Sequence, residues 1–280
     1  MCVSITSLNS GSNGNCYYVG NNDEAVLIDA GISCRETEKR MSLLGLSVTK
    51  VKAIFISHEH TDHVSGLQVL AHKYQLPVYI TKQTLRGCRF KIDSHLIHTF
   101  KAFENVEIGG LTICAFPKKH DAKDPHSFIV SSSTVRVGVF TDIGECCTNL
   151  EYHFRQCHAA FLESNYDTDM LMNGKYPYYL KRRISGGQGH LSNNQAKSLF
   201  MEHRPSFMTH LLLAHLSKEN NCPDLVRQLF NQHAHHTQII IASRFEQTPL
   251  YQIIPVSVPN FSLPVSFSVP IPKAKQLSLF

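Results

Sequence analysis

Through most of its length the chain alternates short apolar runs with clusters of turn-forming residues. "NCYYVG" and "AVLIDA" read as strands joined by "NNDE", a hairpin-like connection. "SCRETEKRMSLLGL" reads as a helix, with Ser33 as the cap and a stop near Gly45. "VKAIFIS" is a buried strand, and "VSGLQVLAHKYQ" returns to a helical period. Further strands are predicted in "PVYIT", "VEIGGLTICAF", "HSFIVSS" and "VRVGVFTD". After a helix-leaning middle come the strand "THLLLAH", the helix "CPDLVRQLFNQ" and the strand "TQIIIAS". Strands and helices mingle throughout, so sheets covered by helices are expected, an α/β fold rather than an all-β sandwich. No repeat of fixed short period is visible. The pattern fails near residue 255, where residues 255–275 hold five prolines and no acidic residue. Such a segment resists helix and central strand. The expected organisation is therefore a domain over 1–254, a proline-rich linker over 255–275 and a terminal peptide over 276–280.

Composition adds limits. At 280 residues, with 42% hydrophobic and 18% charged residues, the chain can bury a substantial core. Its start carries no basic, long apolar leader, and its longest apolar runs are too short to span a bilayer. No membrane association is expected. Nine cysteines without CxxC spacing fit reduced thiols in a cytoplasm better than a disulfide framework. The net charge of +5 leans towards anionic partners without establishing nucleic-acid binding. The seventeen histidines change the picture more, because several are concentrated in one place.

"FISHEHTDHVSG" puts His58, His60, Asp62 and His63 within six residues. His58 and His60 leave the end of an apolar strand, where alternate side chains share a face, so both can reach one ion. Glu59 points away. Asp62 and His63 follow at a turn into a helix, placed to serve a second ion. Nitrogen and carboxylate ligands without thiolate suit Zn²⁺ or Mn²⁺. Two such ions about 3.5–4 Å apart activate water and clamp both attacking and leaving oxygens of a displacement.

"HEHTDH" resembles the HxHxDH signature of the metallo-β-lactamase superfamily, an αββα sandwich with a dinuclear metal site. The resemblance implies further ligands, and the chain supplies candidates in order: Asp29 in "VLIDAG" as a support, His120 in "KKHDAKDP", Asp142 in "VGVFTDIG" as the bridge, and His215 in "LLLAHLSKENN". His126 is an alternative to His120, and His210 to His215; "HDA" after a strand and a residue leaving a strand end favour His120 and His215. The resemblance assigns His58, His60 and His120 to one ion and Asp62, His63 and His215 to the other. The remaining histidines fit no position and are expected mostly at the surface.

Superfamily members hydrolyse several ester classes, so the substrate rests on local features. "FLESNYD" with Glu163 and "GGQGHLSN" with His190 resemble a pair that, in the nuclease branch, helps protonate the leaving oxygen. Asp62 is the third catalytic candidate. "YLKRRISGG" places Lys181, Arg182 and Arg183 where phosphates of a bound strand could be neutralised. "SGSNGNC", with Ser12 and Asn13, is a loop whose backbone N–H groups could cup a phosphate. Together with "LAHLSKENN", these strings resemble the YycJ/WalJ type of bacterial nuclease, which implies a 5′-to-3′ DNA exonuclease of repair or replication. A thioesterase or lactonase is the alternative. An RNA-processing nuclease is disfavoured, because the stretch from Asp142 to His215 cannot hold the large domain that β-CASP relatives insert there. "QLSLF" at the terminus resembles the peptide by which bacterial repair proteins bind the sliding clamp, with Gln276 at the pocket edge and Leu277, Leu279 and Phe280 inside. An extended 21-residue linker would let it reach on the order of 60 Å.

Overall fold

The computed structural model describes residues 2–255; the clamp-like peptide and nearly all of the linker lie outside the described residues. Six strands open the first sheet: β1 (Val3–Asn9), β2 (Cys16–Gly20), β3 (Ala25–Ile28), β4 (Val51–Phe55), β5 (Val78–Tyr79) and β6 (Ile97–His98). The second sheet holds β7 (Asn105–Ile108), β8 (Leu111–Pro117), β9 (His126–Ser132), β10 (Val135–Phe140), β11 (Ala159–Glu163), β12 (His210–Ala214) and β13 (Gln238–Ile241). The last strand, β14 (Tyr251–Ile253), returns to pair antiparallel with β1. Within each sheet the strands follow chain order and run antiparallel first, then parallel from β3 to β6 and from β10 to β13. The two halves are thus built alike, which no residue-level repeat reveals.

Strand parity sorts the core into layers. Tyr17, Val26, Phe55, Phe128, Val137 and Phe161 face inward between the sheets. Their neighbours on the opposite face, such as Leu27 and Ile54, pack under helices α1 (Cys34–Leu43) and α3 (Leu67–Tyr74), which follow the short α2 (Thr61–Val64) in part. On the other side Phe140 and Leu162 pack under α5 (Thr148–Phe154), α8 (Asn193–His203) and α9 (Pro223–Asn231). Helix, sheet, sheet, helix is the expected αββα order. The remaining helices are α4 (Lys82–Gly87), α6 (Thr168–Asn173) and α7 (Tyr178–Ser185). No helix among the described residues is long and apolar enough to cross a membrane.

Local expectations are met where neighbours decide. Ser33 Oγ accepts from the Glu36 N–H at 3.2 Å to cap α1, and Gly45 takes a left-handed φ of 69° just beyond its end. "VEIGGLTICAF" is not one strand but a hairpin, β7–β8, turned at Gly109 with φ 56°. Not every spare histidine is solvated: His158 is buried, and the ring of His153 stacks on Phe116 at 4.3 Å.

Candidate metal centre

All seven candidate ligands meet at one end of the sandwich, where the parallel strands of both sheets finish. Asp29 leaves β3, His58 and His60 leave β4, His120 follows β8, Asp142 leaves β10 and His215 leaves β12. Asp29, Asp142 and His215 adopt left-handed φ of 63°, 54° and 57°, turning each side chain from the strand back into the site. Such backbone is uncommon outside glycine, and three cases around one cluster mark a geometry held by its surroundings.

His58 Nε2 stands 3.0 Å from His60 Nδ1, and His120 Nε2 stands 3.3 Å from the same atom. Across the site, Asp62 Oδ2 is 3.6 Å from His63 Nε2 and 3.5 Å from His215 Nε2. Asp142 lies between the groups: its Oδ2 is 3.1 Å from His63 Nε2, and its Oδ1 is 3.8 Å from His120 Nε2. His126 is elsewhere, its Nδ1 bonded to the Asp124 carbonyl, and His210 sits at the opposite end of β12 with Nδ1 on Thr209.

The outward ring nitrogens fix the tautomers. The Ser57 hydroxyl donates to Asp29 Oδ2 at 2.8 Å, so it must accept from His58 Nδ1 at 2.9 Å. His63 Nδ1 donates to Asp29 at 2.7 Å, His120 Nδ1 to the Gly189 carbonyl at 3.0 Å, and His215 Nδ1 to Glu163 Oε1 at 2.9 Å. Four imidazoles therefore turn Nε2 inward, each steadied by the outer contact that metal-binding histidines use. Glu163 also accepts from His190 Nδ1 at 2.8 Å.

Charge is divided across the cluster. Burial, with His63 and Lys118 nearby, drives His58 well below its ordinary pKa, and burial lowers His120 to about 4. Both rings offer lone pairs at neutral pH. Burial opposes a charge on His63, but Asp142, Asp29 and Asp62 raise it to about 10. Likewise burial would raise Asp142, yet His215 and His63 hold it well below the carboxylate range. Protons trapped between carboxylates are what a divalent cation would displace.

The residues present fit such an ion. Asp142 Oδ2 and His215 Nε2 are buried and, among the described residues, make no hydrogen bond of good geometry, their polar neighbours being His63 Nε2 at 3.1 Å and Asp62 Oδ2 at 3.5 Å. His58 Nε2 and His120 Nε2, both left as acceptors by their outer contacts, converge on His60 Nδ1, which can bring at most one proton to the pair, so a lone pair is left facing the centre that a cation would satisfy. Nitrogens about 2.0–2.1 Å from a tetrahedral zinc ion would lie about 3.3 Å apart, close to the spacings seen here.

Other expected residues are placed differently. Lys181, Arg182 and Arg183 lie on α7, where successive side chains diverge by about 100°, so they form no common face. Lys181 Nζ bonds the Met172 carbonyl, Arg182 lies over the Tyr178 ring at 5.9 Å, and only Arg183 reaches the rim, through Asp121 at 2.5 Å. In "SGSNGNC" the N–H groups of Ser10, Gly11, Gly14 and Asn15 are spent on Ser243, Asn15, Gly11 and Asp62, which leaves those of Ser12 and Asn13 without a bond among the described residues. Ser12 and Asn13 are exposed and contact Arg244.

Asn15 was missed by sequence reasoning: its Nδ2 lies 3.2 Å from Asp62 Oδ2 and 3.1 Å from His63 Nε2. So was Lys118, buried beside the centre with Nζ on the Thr141 carbonyl at 2.7 Å. The only sequence signal for either was its place inside a string already singled out.

Residues 24–215 match a family model described as the β-lactamase superfamily domain, a span that includes all seven candidate ligands. The chain belongs to the metallo-β-lactamase superfamily. It is thus a hydrolase of this superfamily, and its clusters of histidine and carboxylate are ones that could hold a divalent metal ion. It is similar to exodeoxyribonuclease YycJ of Bacillus anthracis, 33% identical over 237 residues, covering 83% of this chain and 89% of that protein. Exodeoxyribonuclease WalJ of Streptococcus pneumoniae D39 is 30% identical over 223 residues, covering 78% of this chain and 83% of that one. Among solved structures, the metallo-β-lactamase fold protein YhfI from Bacillus subtilis superposes with a TM-score of 0.69 at 16% identity, over 90% of this chain and 100% of that one.

Proposed function

We propose that this superfamily member is a dinuclear-metal phosphodiesterase that digests DNA from its 5′ ends. The observation that carries the two-ion reading is the place of Asp142 between the two groups: its Oδ2 is 3.1 Å from His63 Nε2, while its Oδ1, 3.4 Å from His215 Nδ1, also lies 3.8 Å from His120 Nε2. His58, His60 and His120 would hold one ion, Asp62, His63 and His215 the other, with Zn²⁺ or Mn²⁺ as the metals that suit these donors. When bound, such ions supply Lewis acidity and an activated water. The chain's own residues do the rest. His60, Asp62 and His190 are the partly open members of the cluster, so substrate enters past them. Glu163 fixes His190 through Nδ1 and leaves Nε2 to hold a proton for the departing oxygen. Burial opposes ionisation of Glu163, but His190 and His215 keep its carboxyl at about 2, so it stays a charged anchor and His190 is the donor. Arg183 at the rim would neutralise a strand phosphate. DNA as substrate is supported by the similarity to two exodeoxyribonucleases over most of the chain.

In this reading the terminal peptide 276–280 recruits the enzyme to the sliding clamp, which places it in cytoplasmic repair or replication. Purified protein with Mn²⁺ or Zn²⁺ on end-labelled linear duplex DNA tests the activity, beside Asp142→Ala. Stepwise release of nucleotides from 5′ ends by the wild type, with at least a hundredfold loss in the variant, is expected. Intact DNA under every metal, with turnover of thioesters, would move the enzyme to the small-molecule branch.

A further inference from the structure

Beside the metal centre lies a cavity of about 330 Å³ that no ligand of that centre lines. Its inner wall is Ser10, whose hydroxyl accepts from the His215 N–H at 2.7 Å, so cavity and centre share one partition. Lys218, Arg227 and Arg244 line it, with Glu246 as the acid and Phe245 at its mouth. Arg227 is already paired with Asp224 at 2.8 Å.

The loop carrying Arg244 and Phe245 is held at three successive carbonyls. Ser10 N donates to Ser243 at 3.0 Å, Asn13 Nδ2 to Arg244 at 2.8 Å, and Nη2 of the buried Arg40 to Phe245 at 3.0 Å. With its backbone clamped this way, the loop still leaves the Phe245 side chain 76% exposed. It is the most exposed of the large hydrophobic residues among the described residues. The Arg244 guanidinium is equally underused. Nη2 donates only to Ser12 Oγ at 2.9 Å, and Nε is buried without a partner among the described residues. Gly11 makes room for it, since a Cβ there would stand 2.9 Å from Nη2.

We propose that this cavity receives one nucleotide of the strand being cut, its base stacked on Phe245 and its phosphate held by Arg244 with Ser12. An aromatic platform beside a guanidinium that has no carboxylate partner among the described residues suits a grip on single-stranded nucleic acid that does not read sequence. The inference rests on the nuclease reading and extends it, naming the element that positions the strand against the metal centre. It also gives Ser12 and Asn13 their part: Ser12 shares the phosphate, and Asn13 fixes the loop.

The chain contains no tryptophan, so F245W introduces a single fluorescent reporter at the platform. Metal-loaded F245W is titrated with a short phosphorothioate oligonucleotide, which resists hydrolysis. Saturable quenching of the introduced indole is expected, with binding weakened at least about fivefold when R244A is added. The absence of saturable quenching, or quenching indifferent to R244A, overturns the proposal. Hydrolysis of ordinary DNA by F245W is followed in parallel. Hydrolysis without quenching removes the cavity's role and leaves the nuclease reading standing. Quenching without hydrolysis by either F245W or the wild type removes the nuclease reading and leaves a nucleotide-binding cavity.

Discussion

Glu163 divides two oxygens among four donors: Oε1 faces His190 Nδ1 and His215 Nδ1, and Oε2 accepts from the N–H groups of Ile143 and Leu191. An amide cannot satisfy that set, because its NH₂ would confront donors on whichever side it lay. Glu163→Gln is therefore expected to weaken metal binding about 10–100-fold, the range for losing such outer contacts. A chelator-competition titration measures it, and unchanged affinity would remove Glu163 as the anchor. His153 carries a pH prediction. Burial, with Arg136 nearby, lowers its pKa from 6.5 to about 4. The unfolded chain thus takes up this proton at higher pH than the folded one, so stability present above pH 6.5 is lost as pH falls towards 4. His153→Phe keeps the stack on Phe116, and its melting temperature should fall less than the wild type's between those values. Parallel curves would contradict this. The burial that sets the shift is invisible in the sequence, where His153 looks like any other spare histidine.

At the scale of elements, the "HEHTDH" segment is seated by close backbone contact. A Cβ on Gly31 would stand 1.7 Å from the Asp62 carbonyl oxygen, while Asn15 N donates to that same oxygen at 2.7 Å. Gly31→Ala must push α2 away from β3, and overpacking of this kind costs about 1–3 kcal/mol. A lower melting temperature together with reduced metal content is expected. Normal metal content in the variant would mean that the segment adapts without losing its ligands. The alternation that sends His58 and His60 to one side was legible in the sequence, because strand parity is local. The tight seat was not, because Gly31 and Asp62 meet only once β3 and β4 pair in parallel.

For the whole molecule, the candidate metal centre would act as a clasp between halves. His58, His60, Asp62 and His63 follow strands of the first sheet, and His120, Asp142 and His215 follow strands of the second. Metal bound only by the folded chain stabilises it by mass action, about 4 kcal/mol at a thousandfold excess over the dissociation constant. Chelation should lower the melting temperature by roughly 10 °C for a chain of this size. Calorimetry with and without chelator reads the shift, and identical melting would mean that no ion joins the halves.

The sequence by itself determined the elements, their assortment into helix-covered sheets and the identity of the ligand cluster around His58. Each depends on neighbours a few residues apart, through strand parity, helical period and capping. His126 stayed open beside His120 on that evidence, and Lys181, Arg182 and Arg183 read as one basic run. Tertiary structure decided those points, because they depend on the path of the chain. Reversal at Asp29, Asp142 and His215 brings distant strand ends together, helical rotation scatters Lys181, Arg182 and Arg183, and burial assigns the protons. The same convergence joins the loop at Gly11 to Arg244 and Phe245, more than two hundred residues away, a contact that local pattern cannot encode.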